Sequence, residues 1–76
     1  MTARILQTIS EVLKTEVNEY TSQKNCVKWD SLMHIHIMIA LEEAFDISFE
    51  PKEIARMTDF RNIERTIKNK ILIIRN

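Results

Sequence analysis

A serine follows an aspartate at a point where the chain can begin a helix. Asp30 precedes Ser31 and Leu32, and an aspartate at a helix start can accept a hydrogen bond from an otherwise unpaired first-turn amide. Ser31 would then lie among unpaired amides at the positive end of the helix dipole. A phosphate on its hydroxyl would be stabilised there without a glycine-rich loop. The spacing is therefore compatible with a phosphate on Ser31, and equally with an ordinary serine in the first turn of a helix.

The composition excludes several other kinds of site. The 76 residues include no glycine, whereas phosphate-binding loops, dinucleotide-binding turns and type I′ hairpins all need one. A chain of this length buries only about 60% of the surface that its unfolded form exposes. That leaves little room for both a core and a deep catalytic cleft. We therefore expect one helical domain over residues 1–76 that is not an enzyme.

The chain also shows no sign of secretion or of a membrane span. Cys26 is the single cysteine, so it cannot form an internal disulfide, which suits a reducing compartment. Polar residues interrupt the N-terminal apolar stretch, unlike a signal peptide. The longest clean apolar run, 37–41, is too short to span a membrane. We expect a cytoplasmic monomer.

The charge is balanced in total but uneven along the chain. Eleven basic and eleven acidic residues give a net charge of zero. Residues 1–29 carry a net +1, residues 30–53 a net −5 and residues 54–76 a net +4. The acidic side chains of the middle segment are Asp30, Glu42, Glu43, Asp46, Glu50 and Glu53.

Apolar spacing and stop signals predict four helices. The first extends from about Ala3 to Val17, and a long loop follows at 18–28. The second runs from Asp30 or Ser31 to near Phe45, the short third from Pro51 to about Met57, and Thr58 caps the fourth. We expect the buried face of the second helix to consist of Leu32, Ile35, Met38, Ile39 and Leu41, with Phe45 one turn further on. The run 71–74 is more apolar than one helix face needs, and we expect it to pack across the bundle or against a partner.

From the first helix through the fourth, the chain resembles the acyl carrier protein family. The matching residues are Asp30-Ser31-Leu32, Leu41-Glu42-Glu43, Phe45, Ile47-x-Phe49-x-Pro51, the short helix ending at Met57, and Thr58. The resemblance covers most of the chain. It implies an all-α, four-helix bundle of the acyl-carrier type, with a short third helix and a long first loop.

The resemblance also implies a function and its partners. A separate phosphopantetheinyl transferase would attach 4′-phosphopantetheine from coenzyme A to Ser31, and the terminal thiol of that arm would hold an acyl group as a thioester. Asp30 would help to position the coenzyme in the transferase, and Leu32 would be a contact at the modification site. Glu42 and Glu43 match acidic positions that meet basic patches on acyl-loading and acyl-processing enzymes.

Three departures from the family pattern bear on the pathway. Trp29 replaces a small residue, often glycine, and His36 replaces an acidic contact of the second helix; His36 is thus a candidate partner contact. The net charge is zero, where fatty-acid carriers are strongly acidic. The Trp-Asp-Ser-Leu form resembles carriers of dedicated pathways, so a fatty-acid-like and a specialised pathway both stay open. The alternatives are a stand-alone aminoacyl or peptidyl carrier, or a helical protein–protein interaction module without the prosthetic group.

Other chemistry-bearing residues favour simpler interpretations. His34 and His36 point in different directions on a helix, and no further histidine or cysteine completes a metal site. Cys26 is expected to be a partly buried small residue rather than a nucleophile. A basic face on the fourth helix lacks interleaved aromatics, so we expect no nucleic acid partner; its residues are Arg61, Arg65 and Lys68. Two interpretations stay open for three methionines, core filling or an adaptable lumen for an acyl chain: Met33, Met38 and Met57.

Overall fold

Four helices account for most of the chain. A computed structural model describes the backbone of residues 1–75 and the side chains of residues 1–72. Helix α1 spans Thr2–Leu13, α2 spans Ser31–Phe45, α3 spans Pro51–Arg56 and α4 spans Phe60–Arg75. No strand forms among these described residues. The expected all-α class is confirmed.

Helix α1 ends four residues before the expected Val17. Lys14 adopts a left-handed conformation, with φ 56° and ψ 41°, and its N–H donates to the Ser10 carbonyl. The next amide, of Thr15, donates to the same carbonyl at 3.3 Å. The boundary was wrong because the apolar spacing continues past the turn that ends the helix: Val17 still packs, half-buried, against the core.

Helix α2 ends in the same way without a glycine. Asp46 is left-handed at φ 53°, and its N–H donates to the Glu42 carbonyl. A left-handed residue with a Cβ costs roughly 1–2 kcal/mol. The satisfied carbonyls of the last turn offset that cost. A chain with no glycine can therefore still form sharp helix ends.

The last two helices begin at different kinds of cap. Pro51 takes the first position of α3, as expected, and Glu50 and Glu53 form a reciprocal capping box. For α4, Asp59 rather than Thr58 is the cap, because the Asp59 carboxylate accepts from the Asn62 amide at 2.7 Å. The assignment of this role to Thr58 was wrong by one residue.

The expected long loop joins α1 to α2 and is tied to the α3–α4 connection. The Gln23 amide donates to the Thr58 carbonyl at 2.8 Å, and the Phe60 amide donates to the Thr21 carbonyl at 3.0 Å. Asn25 closes the loop on itself through its side-chain amide, which donates to the Tyr20 carbonyl at 2.9 Å. These bonds hold the loop that leads to Ser31 against the bundle.

One hydrophobic core lies among the helices. It draws residues from α1, α2 and α4 and from the segments that connect the helices: Ile5, Ile9, Leu13, Trp29, Ile37, Met38, Leu41, Ile47, Phe49, Met57, Phe60, Ile63 and Ile67. Helix α3 contributes no fully buried residue. It is therefore the least embedded of the four helices.

The apolar C-terminal run divides between core and solvent as far as it is described. Ile71 is half-buried and packs against the core, whereas Leu72 is 62% exposed. The expectation for residues 73 and 74 concerns side chains outside the described residues. None of the described helices combines the length and the apolar character needed to cross a membrane.

Candidate functional site

The sequence-predicted attachment residue lies at the first turn of α2. Asp30 is extended, with φ −92° and ψ −174°, and its carboxylate accepts a hydrogen bond from the Met33 amide at 2.8 Å. Ser31 is the first residue of the helix, and both residues are exposed. The expected helix start and the Asp30 cap are confirmed.

The surroundings of the Ser31 hydroxyl fit a phosphate ester. The Asp30 carboxylate accepts a hydrogen bond from the Met33 amide, and the His34 amide donates to the Asp30 carbonyl at 2.9 Å. The earlier amides, of Ser31 and Leu32, lie at the positive end of α2 and have no partner within the helix. A phosphate esterified to Ser31 would lie beside these donors and remain in contact with solvent.

A buried aromatic pair lies directly behind this helix start. Trp29 is only 1% exposed, and its indole N–H donates to His34 Nδ1 at 3.0 Å. The two rings stack, with centroids 6.0 Å apart and planes inclined by 25°. The Trp29 amide donates to the Cys26 carbonyl at 3.0 Å. Trp29 thus anchors the end of the loop just before Asp30.

His34 is the residue that sequence reasoning missed. It is 7% exposed, and its Nε2 lies 2.8 Å from the Ile54 carbonyl of α3. Two signals in the sequence point to it. Its position fits a helical face together with Ile37 and Leu41, and a tryptophan just before the helix can supply a hydrogen-bond donor.

The buried face of α2 is rotated from the expected one. Met38 and Leu41 are buried and Phe45 is half-buried, as expected, but His34 and Ile37 complete the buried face. Three apolar residues assigned to the core are instead exposed: Leu32 at 65%, Ile35 at 46% and Ile39 at 48%. The assignment failed because apolar side chains occur on both sides of this helix, so spacing alone does not choose a face.

The exposed side chains form a stripe along α2, which we call the α2 face. Its members follow one another at steps of one, three and four residues, and neighbours at steps of three and four share a helix face. They begin beside Ser31 and end near the last turn: Leu32, Ile35, His36, Ile39 and Glu43. The structure thus brings two of the candidate partner contacts, His36 and Glu43, together with the Leu32 contact.

Glu42 lies apart from the α2 face. It is half-buried, and its carboxylate accepts a hydrogen bond from the Phe49 amide at 2.8 Å. Its backbone carbonyl accepts from the Ile47 amide at 3.1 Å. Glu42 therefore holds the segment that links α2 to α3.

Helix α3 is held from its other side by an ion pair. Glu53 and Lys70 lie 2.8 Å apart, each with about a quarter of its side chain exposed. The Glu50 backbone N–H and then the Lys70 side chain lower the pKa of the Glu53 carboxyl. The Lys70 ammonium also lies 5.9 Å from the centroid of the Phe49 ring. These contacts join α3 to α4.

The remaining candidates form no second site. No group of three or more histidine, cysteine or acidic side chains that could hold a metal occurs in the described part of the chain. Cys26 is half-buried in the long loop. Met38 and Met57 are buried in the core and Met33 is half-buried against it. The basic side chains of α4 lie exposed on its outer face: Arg61, Arg65 and Lys68.

Comparisons with known proteins assign the chain to no family. It matches no protein-family model, and no curated protein matches it. The geometry of the α2 helix start and of the α2 face is therefore the physical basis for inferring the function.

Proposed function

We propose that this protein is an acyl carrier protein, a four-helix bundle that carries acyl groups as thioesters on a 4′-phosphopantetheine arm at Ser31. The observation that carries the proposal is the Ser31 hydroxyl, exposed on the first turn of α2. The Asp30 cap and the buried Trp29 behind it support the proposal, because they hold that turn in place. The resemblance in sequence supplies the identity of the arm.

The attachment reaction requires this chain to present a serine hydroxyl to a separate enzyme. Within the active site of a transferase, the Ser31 oxygen would attack the β-phosphate of coenzyme A, forming a serine–phosphate bond. The phosphate's bond to the adenosine bisphosphate portion would break, and the serine proton would pass to a base of the transferase. The carrier presents the hydroxyl, and the α2 dipole stabilises the resulting phosphodiester.

The bound arm supplies a terminal thiol that forms the thioester, and the carrier presents this tethered substrate to successive enzymes. A short tether raises the effective concentration of the acyl group at each enzyme. The α2 face suits such transient encounters, because it combines exposed apolar side chains with the Glu43 carboxylate near the far end of the same helix. Apolar contact with an enzyme would supply affinity, and charge would speed association.

The decisive experiment measures the intact mass of the protein after modification. The apo protein is incubated with coenzyme A and a broad-specificity phosphopantetheinyl transferase. We expect wild type to gain one phosphopantetheine unit and Ser31→Ala to gain none. Ser48→Ala is the matched control, because Ser48 is also exposed but precedes α3 outside any helix, and it should be modified like wild type.

Two outcomes contradict the proposal at different points. No mass gain on wild type, under conditions that modify a known carrier, would favour a helical interaction module without an arm. A mass gain that persists in Ser31→Ala would overturn the site while leaving the carrier function standing.

A further inference from the structure

The buried His34 ring joins the loop before Ser31 to helix α3. Its Nδ1 lies 3.0 Å from the Trp29 indole nitrogen, and its Nε2 lies 2.8 Å from the Ile54 carbonyl oxygen. Trp29 directly precedes the Asp30 cap, and Ile54 lies in α3. One side chain of α2 thus connects the two segments that flank it.

The two partners determine where the His34 proton lies. An indole nitrogen only donates and a carbonyl oxygen only accepts. Nδ1 must therefore be the unprotonated acceptor, and Nε2 must carry the hydrogen that it donates to Ile54. The ring is neutral in this arrangement. A second proton on Nδ1 would place two N–H groups against each other inside the protein, and the buried indole would lose its acceptor.

Helix α3 depends on such polar contacts more than the other helices do. It contributes no fully buried residue, and its remaining ties are the half-buried Ile54 side chain and the Glu53–Lys70 ion pair. Loss of the His34 bond would leave the Ile54 carbonyl with the Met57 amide, at 3.3 Å, as its donor and would weaken the contact between α3 and α2.

We infer that neutral His34 is the positioning residue of the modification site: it holds the loop before Ser31 beside helix α3 in the arrangement that the transferase recognises, and protonation of Nδ1 breaks its bond to Trp29. The inference rests on the proposed function for its consequence at Ser31. Its structural part concerns Trp29 and Ile54 alone. The folded arrangement requires the neutral ring, so it is lost when Nδ1 takes up a proton.

The charged groups on the neighbouring elements are engaged elsewhere or exposed to solvent. On the loop side, the Asp30 carboxylate bonds the Met33 amide and the Lys28 ammonium lies 3.3 Å from the Lys14 carbonyl. On α3, Glu53 pairs with Lys70, and Arg56 is exposed at the helix end. The core side chains of α1 and α4 that face α2 are apolar.

The chain provides its own reporter and its own control. Trp29 is the single tryptophan, and His34 and His36 are the only histidines. His34→Gln can place an amide oxygen near Nδ1 and an amide nitrogen near Nε2, so it can keep both hydrogen bonds but cannot titrate. His36→Gln removes the exposed histidine instead. The indole N–H resonance and the fluorescence of Trp29 are followed from about pH 8 to about pH 5.

We expect wild type and His36→Gln to show one reversible transition in the Trp29 signals, and His34→Gln to show none. Imidazole ¹⁵N shifts should report the Nε2–H form of His34 at the alkaline end. A wild-type Trp29 signal that stays constant over this range, a transition that persists in His34→Gln, or an Nδ1–H form of His34 would each overturn the inference.

The second measurement is the Ser31 modification rate of wild type divided by that of His34→Gln at each pH. This ratio cancels the transferase's own pH dependence. We expect the ratio to fall as the pH is lowered, His34→Gln to match wild type near pH 7.5 or above, and His34→Leu to be modified more slowly there. A ratio that does not change with pH would overturn the positioning role. If no variant is modified at any pH, the proposed function fails, and the Trp29 titration still decides the structural part.

Discussion

At the scale of single residues, two neighbouring glutamates near the end of α2 lie in different surroundings. The Glu42 side chain is half-buried and accepts a hydrogen bond from the Phe49 amide. Glu43 is exposed on the α2 face. The sequence motif assigns both to partner contact. The structure supplies a second use for Glu42, because its carboxylate holds the segment before α3.

Alanine substitution should separate the two roles. Glu42→Ala leaves the part-buried Phe49 amide without its acceptor, which should lower the free energy of unfolding by about 1–3 kcal/mol. Glu43→Ala should change it by less than about 0.5 kcal/mol but slow acyl transfer to a partner enzyme. Urea unfolding and transfer kinetics on the same samples measure both effects. Equal stability losses would show that Glu42 has no special structural use, and unchanged transfer by Glu43→Ala would make that residue a bystander.

At the scale of elements, the sequence predicted the helices better than their faces. The Asp30 cap and the Pro51 start were recognisable because their chemistry is local: a carboxylate beside free amides, and a residue without an amide hydrogen. The buried face of α2 was not recognisable from the sequence, because it depends on what packs against the helix. Trp29 and His34 decide that choice, since a buried hydrogen bond between them draws the His34 side of α2 inward.

Two isoleucines on opposite faces of α2 test this orientation with one substitution. Ile37 is fully buried, so Ile37→Ala should lower the free energy of unfolding by about 2–5 kcal/mol. Ile39 is 48% exposed, so Ile39→Ala should lower it by no more than about 1 kcal/mol while slowing acyl transfer to partner enzymes. Chemical denaturation and transfer rates provide the comparison. A larger loss of stability for Ile39→Ala than for Ile37→Ala would show that the buried face of α2 is the one expected from apolar spacing.

At the scale of the whole molecule, the net charge of zero conceals two separate charged surfaces. The α2 face and its helix start carry Asp30 and Glu43, while the outer face of α4 carries Arg61, Arg65 and Lys68. The molecule measures 37 × 24 × 19 Å along its principal axes. Screening acts over roughly 10 Å at 0.1 M salt, so charges farther than that from a docked partner contribute little to its association.

Two substitutions that change the net charge by one unit in opposite directions test whether the local field steers association. A partner with a basic docking patch should associate more slowly as salt is added, although the protein is neutral overall. Glu43→Gln should lower both the association rate and its salt dependence, whereas Arg65→Gln should leave both close to wild type. Stopped-flow association over a salt series measures the slopes. If net charge governed steering, Arg65→Gln would instead associate faster than wild type. Equal effects of the two variants would show that the charges on α2 contribute no more to docking than those on α4.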